Sequence, residues 1–177
     1  FKGLFSIEYE YNWLESMPEI QQSVDYFRLA ATALVEKGYQ PLFQRDLKNA
    51  AFPEDSWSFE DGILIAKGGG DIWTKERYGD FVLDLEFRCE PETNSGVFLR
   101  CADTEEWLHT SIEVQILQPE VENPRENCGG IFDCLAPAKR LVKAPGEWNR
   151  YVIIAKGSRI LVFLNGEQAT DMNLDLW

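Results

Sequence analysis

Histidine is nearly missing from this sequence: His109 is the single one among 177 residues. One imidazole excludes the His-Glu-x-x-His motif and most Cys/His zinc sites. The four cysteines, Cys89, Cys101, Cys128 and Cys134, include no C-x-x-C pair and form no metal pattern. No run of about 18 apolar residues occurs, so no segment is expected to cross a membrane as a helix. No stretch joins a basic start, an apolar run and a small-residue cleavage site. Positive charge is scarce: 17 Lys and Arg face 30 Asp and Glu, a formal charge of −13. Such an acidic balance repels phosphates and anionic lipid, so neither nucleic acid nor an anionic membrane is an expected partner. An initiator Met is also lacking at Phe1, so an upstream part is expected, and this end carries no sign of localisation. The length suits one full domain and is short for two.

The cysteines are expected as free thiols. Cys89 and Cys101 fall on two arms of an expected hairpin turning near Glu92. That pairing sets Cys101 opposite about residue 83, too far from Cys89 for a bridge. Cys128 and Cys134 lie closer together in a loop, where pairing is the alternative to free thiols. No internal repeat or low-complexity segment is present.

Two textures meet near residue 39. Phe5, Ile7, Tyr9 and Tyr11 alternate with Ser6, Glu8 and Glu10, as in a strand. Ser16 and Glu19 then have capping-box spacing, with Pro18 in the first turn. Ile20, Val24, Phe27, Ala31, Leu34 and Val35 form one apolar stripe at helical spacing, and Gly38 is placed to end it. Residues 1–39 therefore read as a strand followed by a helix.

From residue 40 the texture is all-β. Strands are expected at 57–59, 62–66, 71–73, 81–89, 95–101, 111–117, 149–155 and 160–164, divided by turn signals such as Asp61-Gly62, Gly129-Gly130 and Asn165-Gly166. Short strands at this spacing predict a sandwich or barrel. Phe81, Leu83, Leu85 and Phe87 alternate with Val82, Asp84, Glu86 and Arg88, which predicts one core face and one wet face. Trp57 and Trp148 read as core aromatics that close the sandwich.

A polar face within such a sheet either meets water or lines a groove, and the composition favours a groove. Glu113 and Gln115 share a face, about 6.6 Å apart along the strand. Neighbouring strands supply Glu86, Arg88 and Arg100, although a slip of one residue would turn Arg100 away from Glu113. Trp73, Tyr78, Trp107 and Trp148 fall at strand ends and loops, where rings can stack on sugars. Glu86 and Arg88 read equally well as solvent-facing charges, and His109 as a surface residue. Carboxylates, amides and a guanidinium among flat aromatics suit a polyhydroxylated ligand.

An ordered series of blocks carries a family resemblance. It runs Trp57 to Leu64 (WSFEDGIL), Ile72 to Phe81 (IWTKERYGDF), Leu83 to Arg88 (LDLEFR) and Asn94 to Arg100 (NSGVFLR). It continues with Glu113 to Leu117 (EVQIL), Gly129 to Phe132 (GGIF), Gly146 to Asn149 (GEWN) and Leu164 to Gly166 (LNG). In this order and spacing the chain resembles the 3-keto-disaccharide hydrolase domain family from about Pro41 to its end. The resemblance implies a mainly β fold over residues 40–177: a concanavalin A-like jelly-roll β-sandwich, preceded here by the N-terminal strand and helix. It also implies glycosides oxidised to a ketone at C3 as substrates, and a periplasmic or secreted location. Two departures stand out. The family pattern continues with further strands that are expected to be missing after Trp177, and its usual Asp after the EVQIL block is Gln118 here.

Residues 1–37 resemble instead the last βα unit of a xylose-isomerase-like TIM barrel, on the run Phe1 to Trp13 followed by Pro18-Glu19-Ile20. That resemblance implies a sugar-isomerase-like domain upstream in the same polypeptide, with Glu8 or Glu10 as counterpart of a metal-binding glutamate. The alternative is an N-terminal decoration of the sandwich. The remaining metal ligands are absent from the sequence, so no isomerase activity is expected.

For a 3-keto-glycoside the ketone acidifies the C2 proton, and the C1 substituent leaves by elimination before water adds back. Such a site needs a base, a partner for the C3 oxygen and an acid for the leaving group. Glu113 is expected as base or acid, Arg100 as enolate stabiliser and His109 as a further catalytic candidate. Gln115, Glu86, Lys75, Tyr78 and Trp73 are expected to bind substrate. A divalent metal at the ketone is compatible with this chemistry, but no ligand set demands one and no other cofactor is expected. The alternatives are a carbohydrate-binding module or lectin without activity, or an adhesion domain whose polar face lacks a pocket.

Overall fold

The computed structural model describes residues 38–177, so the strand and helix expected over residues 1–37 lie outside the described residues. The chain divides into two compact units between Arg77 and Tyr78.

The described part of the first unit consists of two antiparallel ribbons. Strands β1 (Ala50–Ala51) and β4 (Trp73–Thr74) form one, and β2 (Trp57–Glu60) and β3 (Ile63–Ala66) the other. Asp61 and Gly62 join β2 to β3 with φ of 50° and 85°, both in the left-handed region that a two-residue hairpin turn demands. Trp57 is half-buried, and its Nε1 donates to the Gly70 carbonyl at 3.0 Å.

The second unit is a two-layer β arrangement. One layer is a four-stranded antiparallel sheet in the order β10 (Glu167–Asn173), β9 (Arg159–Leu164), β8 (Trp148–Lys156), β5 (Phe81–Arg88). The other pairs β6 (Asn94–Leu99) with β7 (Ile112–Leu117). Residues 129–132 run along the second edge of β7: Gln115 donates its N–H to Gly130 O, and Gly129 and Phe132 donate theirs to Gln115 O and Glu113 O, each at 3.0 Å. Between the layers Phe81, Leu83, Leu85 and Phe87 pack with Tyr151, Ile153, Ile160, Val162 and Leu164 against Val97, Val114 and Ile116. The registers Leu83↔Ile153 and Ile153↔Val162 place these side chains in rows across the sheet. Mainly β structure in antiparallel sheets around one apolar core is the expected β-sandwich.

Several expectations are corrected. β5 and β6 do not form a hairpin: β5 pairs with β8, β6 pairs with β7, and the chain changes layers between them. Cys89 and Cys101 therefore stay apart for a different reason, and all four cysteines are free thiols. β6 ends at Leu99, so Arg100, with φ of 54°, lies beyond the regular alternation. Trp148 is 39% exposed, with the Arg88 guanidinium 5.1 Å from its ring centre, and is not a core aromatic. On β5 Glu86 and Arg88 are exposed as expected of its wet face, whereas on the same side of the sheet Val152, Ile154, Leu161 and Phe163 of β8 and β9 are buried. β10 and a helical turn at Trp107–Thr110 were not expected.

Candidate functional site

The register of β6 and β7 sets which residues can meet. Val97↔Val114 and Leu99↔Ile112 face the core, so the alternate pairs Gly96↔Gln115 and Phe98↔Glu113 face outward together. Over this outward face lies a hollow of about 340 Å³, within the range of about 300–1,000 Å³ common for small-molecule sites. Glu113, His109, Ser111 and Asp133 supply its polar groups, and Phe98, Trp107, Leu108 and Phe132 its apolar walls, with Cys134 beside them.

Three segments position these groups. β7 carries Glu113. The helical turn Trp107–Thr110 carries Trp107, Leu108 and His109, and is tied to β7 by Ser111 Oγ, which donates to Trp107 O at 2.6 Å. The third is the stretch past Gly129-Gly130 that leads to Phe132, Asp133 and Cys134. Phe98 and Trp107 stack at 4.5 Å between ring centres, tilted by 40°, a geometry favourable for aromatic pairs. Leu108 is 61% and Phe132 36% exposed, so apolar surface rims the hollow.

Glu113 and Gln115 meet side by side. One orientation of the Gln115 amide has its nitrogen donating to Asn94 Oδ1 at 3.2 Å. Turned over, together with the Asn94 amide, it puts its nitrogen 3.0 Å from Glu113 Oε1 and 3.0 Å from Ser95 O, two acceptors that an amide oxygen could not satisfy. Gln115 itself is only 2% exposed. Under this strand the buried Tyr151 hydroxyl donates to Gln115 O at 2.6 Å and lies 3.2 Å from Cys128 Sγ. Burial drives the Tyr151 hydroxyl well above its ordinary pKa, and raises that of the Cys128 thiol as well.

The structure thus brings Glu113, His109 and Gln115 to one locality. Arg100 is not part of the hollow's lining; it is half-buried, and its Nε finds no hydrogen-bond partner among the described residues. Glu86 sits opposite Arg150 on the outer face of the four-stranded sheet, so it and Glu113 lie on opposite faces of the sandwich. Trp73 and Lys75 belong to the first unit, where Lys75 Nζ donates to Lys48 O at 2.7 Å. Tyr78, the first residue of the second unit, is exposed. Sequence reasoning missed Phe132, Asp133 and Cys134; the available signal was Gly129-Gly130, whose turn delivers the following residues to β7. Among the described residues no three His, Cys, Asp or Glu side chains converge as a metal ligand set. No helix among them is long and apolar enough to cross a membrane.

Residues 37–176 match the model of the 3-keto-α-glucoside-1,2-lyase-like domain. The chain belongs to that family. Among solved structures, a candidate glycosyl hydrolase from Parabacteroides distasonis is similar at 41% identity and a TM-score of 0.75, covering 78% of this chain and 73% of its own. A second candidate glycosyl hydrolase from the same organism has a TM-score of 0.70 over 80% of this chain and 74% of its own, and at 21% identity shares the fold alone. A third, at 26% identity, has a TM-score of 0.58 over 73% of this chain and 62% of its own. No curated protein matches the chain. Membership of the 3-keto-α-glucoside-1,2-lyase-like family and these neighbours support a carbohydrate-related, hydrolase-like role.

Proposed function

We propose that this domain cleaves 3-keto-glycosides by elimination followed by hydration, with Glu113 as the base. The observation that carries the reading is a carboxylate in the wall of a partly aromatic hollow that the single imidazole of the chain also lines. Glu113 removes the C2 proton, and the C–H electron pair delocalises onto the C3 oxygen as an enolate. The enolate then collapses to the ketone, C1=C2 forms, and the C1–O bond breaks. His109 delivers a proton to the departing oxygen. Water next adds at C1, giving up a proton to His109, while Glu113 returns its proton to C2; this yields the free 3-keto sugar and restores both side chains. Stacked Phe98 and Trp107 offer a flat wall to the sugar, and the apolar rim of Leu108 and Phe132 suits the aglycone.

Arg100 is proposed as the cation for the C3 oxygen on its unmatched Nε alone, since it lies outside the hollow's lining. Glu113→Gln should lower kcat on a 3-keto-glucoside by about 10²–10⁴-fold, the usual range for a lost general base. An unchanged rate would remove Glu113 from the mechanism. Wild-type protein that binds ordinary sugars but releases no product from any 3-keto-glycoside would establish the lectin reading instead.

A further inference from the structure

We propose that Gln115 is a positioning residue for Glu113, not a substrate ligand, and that Gly96 provides the space in which the positioned carboxylate lies. The inference rests on Glu113 acting as the base described above. Gln115 has no donor to offer a ligand. Its amide carries two N–H groups, and in the orientation that its acceptor neighbours require both are used, one on Glu113 Oε1 and one on Ser95 O at 3.0 Å each. Its backbone is held equally firmly, by Gly130 O, by the Gly129 N–H and by the Tyr151 hydroxyl. A side chain fixed at both ends and 2% exposed is suited to hold its neighbour.

Gly96 completes the arrangement. It sits directly opposite Gln115 in the β6–β7 register. A Cβ built there would fall 2.7 Å from Cγ and 2.8 Å from Cδ of Glu113, and nearer still to Oε1. Gly96 has an ordinary strand backbone, so its lack of a side chain matters here for space, not for φ. The Glu113 side chain lies across this notch and reaches the amide of Gln115. Phe98, the cross-strand partner of Glu113, is thereby left to Trp107.

The test is a cycle of Glu113→Gln, Gln115→Met and the double variant, assayed on a 3-keto-glucoside, with crystal structures of the single variants. Gln115→Met should lower kcat by about 10- to 100-fold, the scale of a misplaced catalytic group, with KM changed less than about twofold. In the Glu113→Gln background the same substitution should cost nothing further. Gly96→Ala should reproduce the kcat loss without touching Gln115, which keeps the test open if Gln115→Met folds poorly. A KM increase at constant kcat, or an equal loss in both backgrounds, would make Gln115 an independent substrate ligand. If the wild type turns over no 3-keto-glycoside, the base assignment fails by itself. The structures then decide the positioning: the Glu113 carboxylate should have left the Gly96 notch in Gln115→Met, and an unmoved carboxylate overturns the proposal.

Discussion

Tyr151 shows how closely one core side chain can be coupled to a surface site. It is fully buried, its ring lies 4.7 Å from that of Phe87, and its hydroxyl bonds the carbonyl of Gln115. Burying a phenol this deeply is tolerable only because the hydroxyl has a partner. Tyr151→Phe should therefore cost about 1–2 kcal/mol, because Gln115 O keeps its bond from the Gly129 N–H and only the weak contact with the Cys128 thiol is lost besides. Urea unfolding should show a lower midpoint at unchanged slope. A loss above about 3 kcal/mol would mean that Tyr151 holds up more of this strand than one hydrogen bond.

At the level of elements, β7 is the strand on which the site depends, and it is flanked by β6 on one side and by residues 129–132 on the other. Gly130 allows that second contact, since a Cβ there would lie 2.8 Å from Leu135 O and 3.1 Å from Asn127 O, both backbone atoms that cannot swing away. Gly130→Ala should lower Tm by several degrees, whereas Gly79→Ala, which meets open space, should leave Tm equal or slightly higher. Equal melting of the two variants would refute the steric account. The alternating strands β5 and β7, and β8 and β9 with their short continuous apolar runs, were legible from sequence to within a residue or two. β10 was not, because Glu-Gln-Ala-Thr-Asp-Met-Asn has the composition of a loop and becomes a strand only through its pairing with β9. The β5–β6 hairpin was misread because adjacency in sequence suggests pairing, while the chain at 89–93 instead passes between layers. In the site, Glu113 could be picked out as a polar residue in an apolar strand. Asp133 and Phe132 could not, since a loop residue's direction depends on tertiary contacts that carry no periodic signal.

For the molecule as a whole, the buried thiols set an alkaline limit. Burial, reinforced by Cys128 nearby, pushes the Cys89 pKa from an ordinary 9.0 up to about 11. The folded chain thus keeps a proton that the unfolded chain loses first. The associated stability is complete below about pH 9 and is lost as pH rises through about 11, with Cys128 and Tyr151 acting in the same sense. Melting curves should show Tm falling above about pH 9, and Cys89→Ala should make that fall shallower; an identical slope in the variant would relieve Cys89 of the role. The four-stranded sheet adds a constraint of another kind. Because Val152, Ile154, Leu161 and Phe163 are buried behind it as Ile153 and Val162 are in front, sliding one strand past the next by a single position would exchange one oily row for another at little cost. Alignment must then come from groups that tolerate no exchange. Arg150 grips Asp84 through two bonds of 2.7 and 2.5 Å, and Arg159 grips Asp171 at 2.8 and 2.5 Å. Such partly exposed pairs add little strength, but they mark which of several equally greasy alignments is the native one.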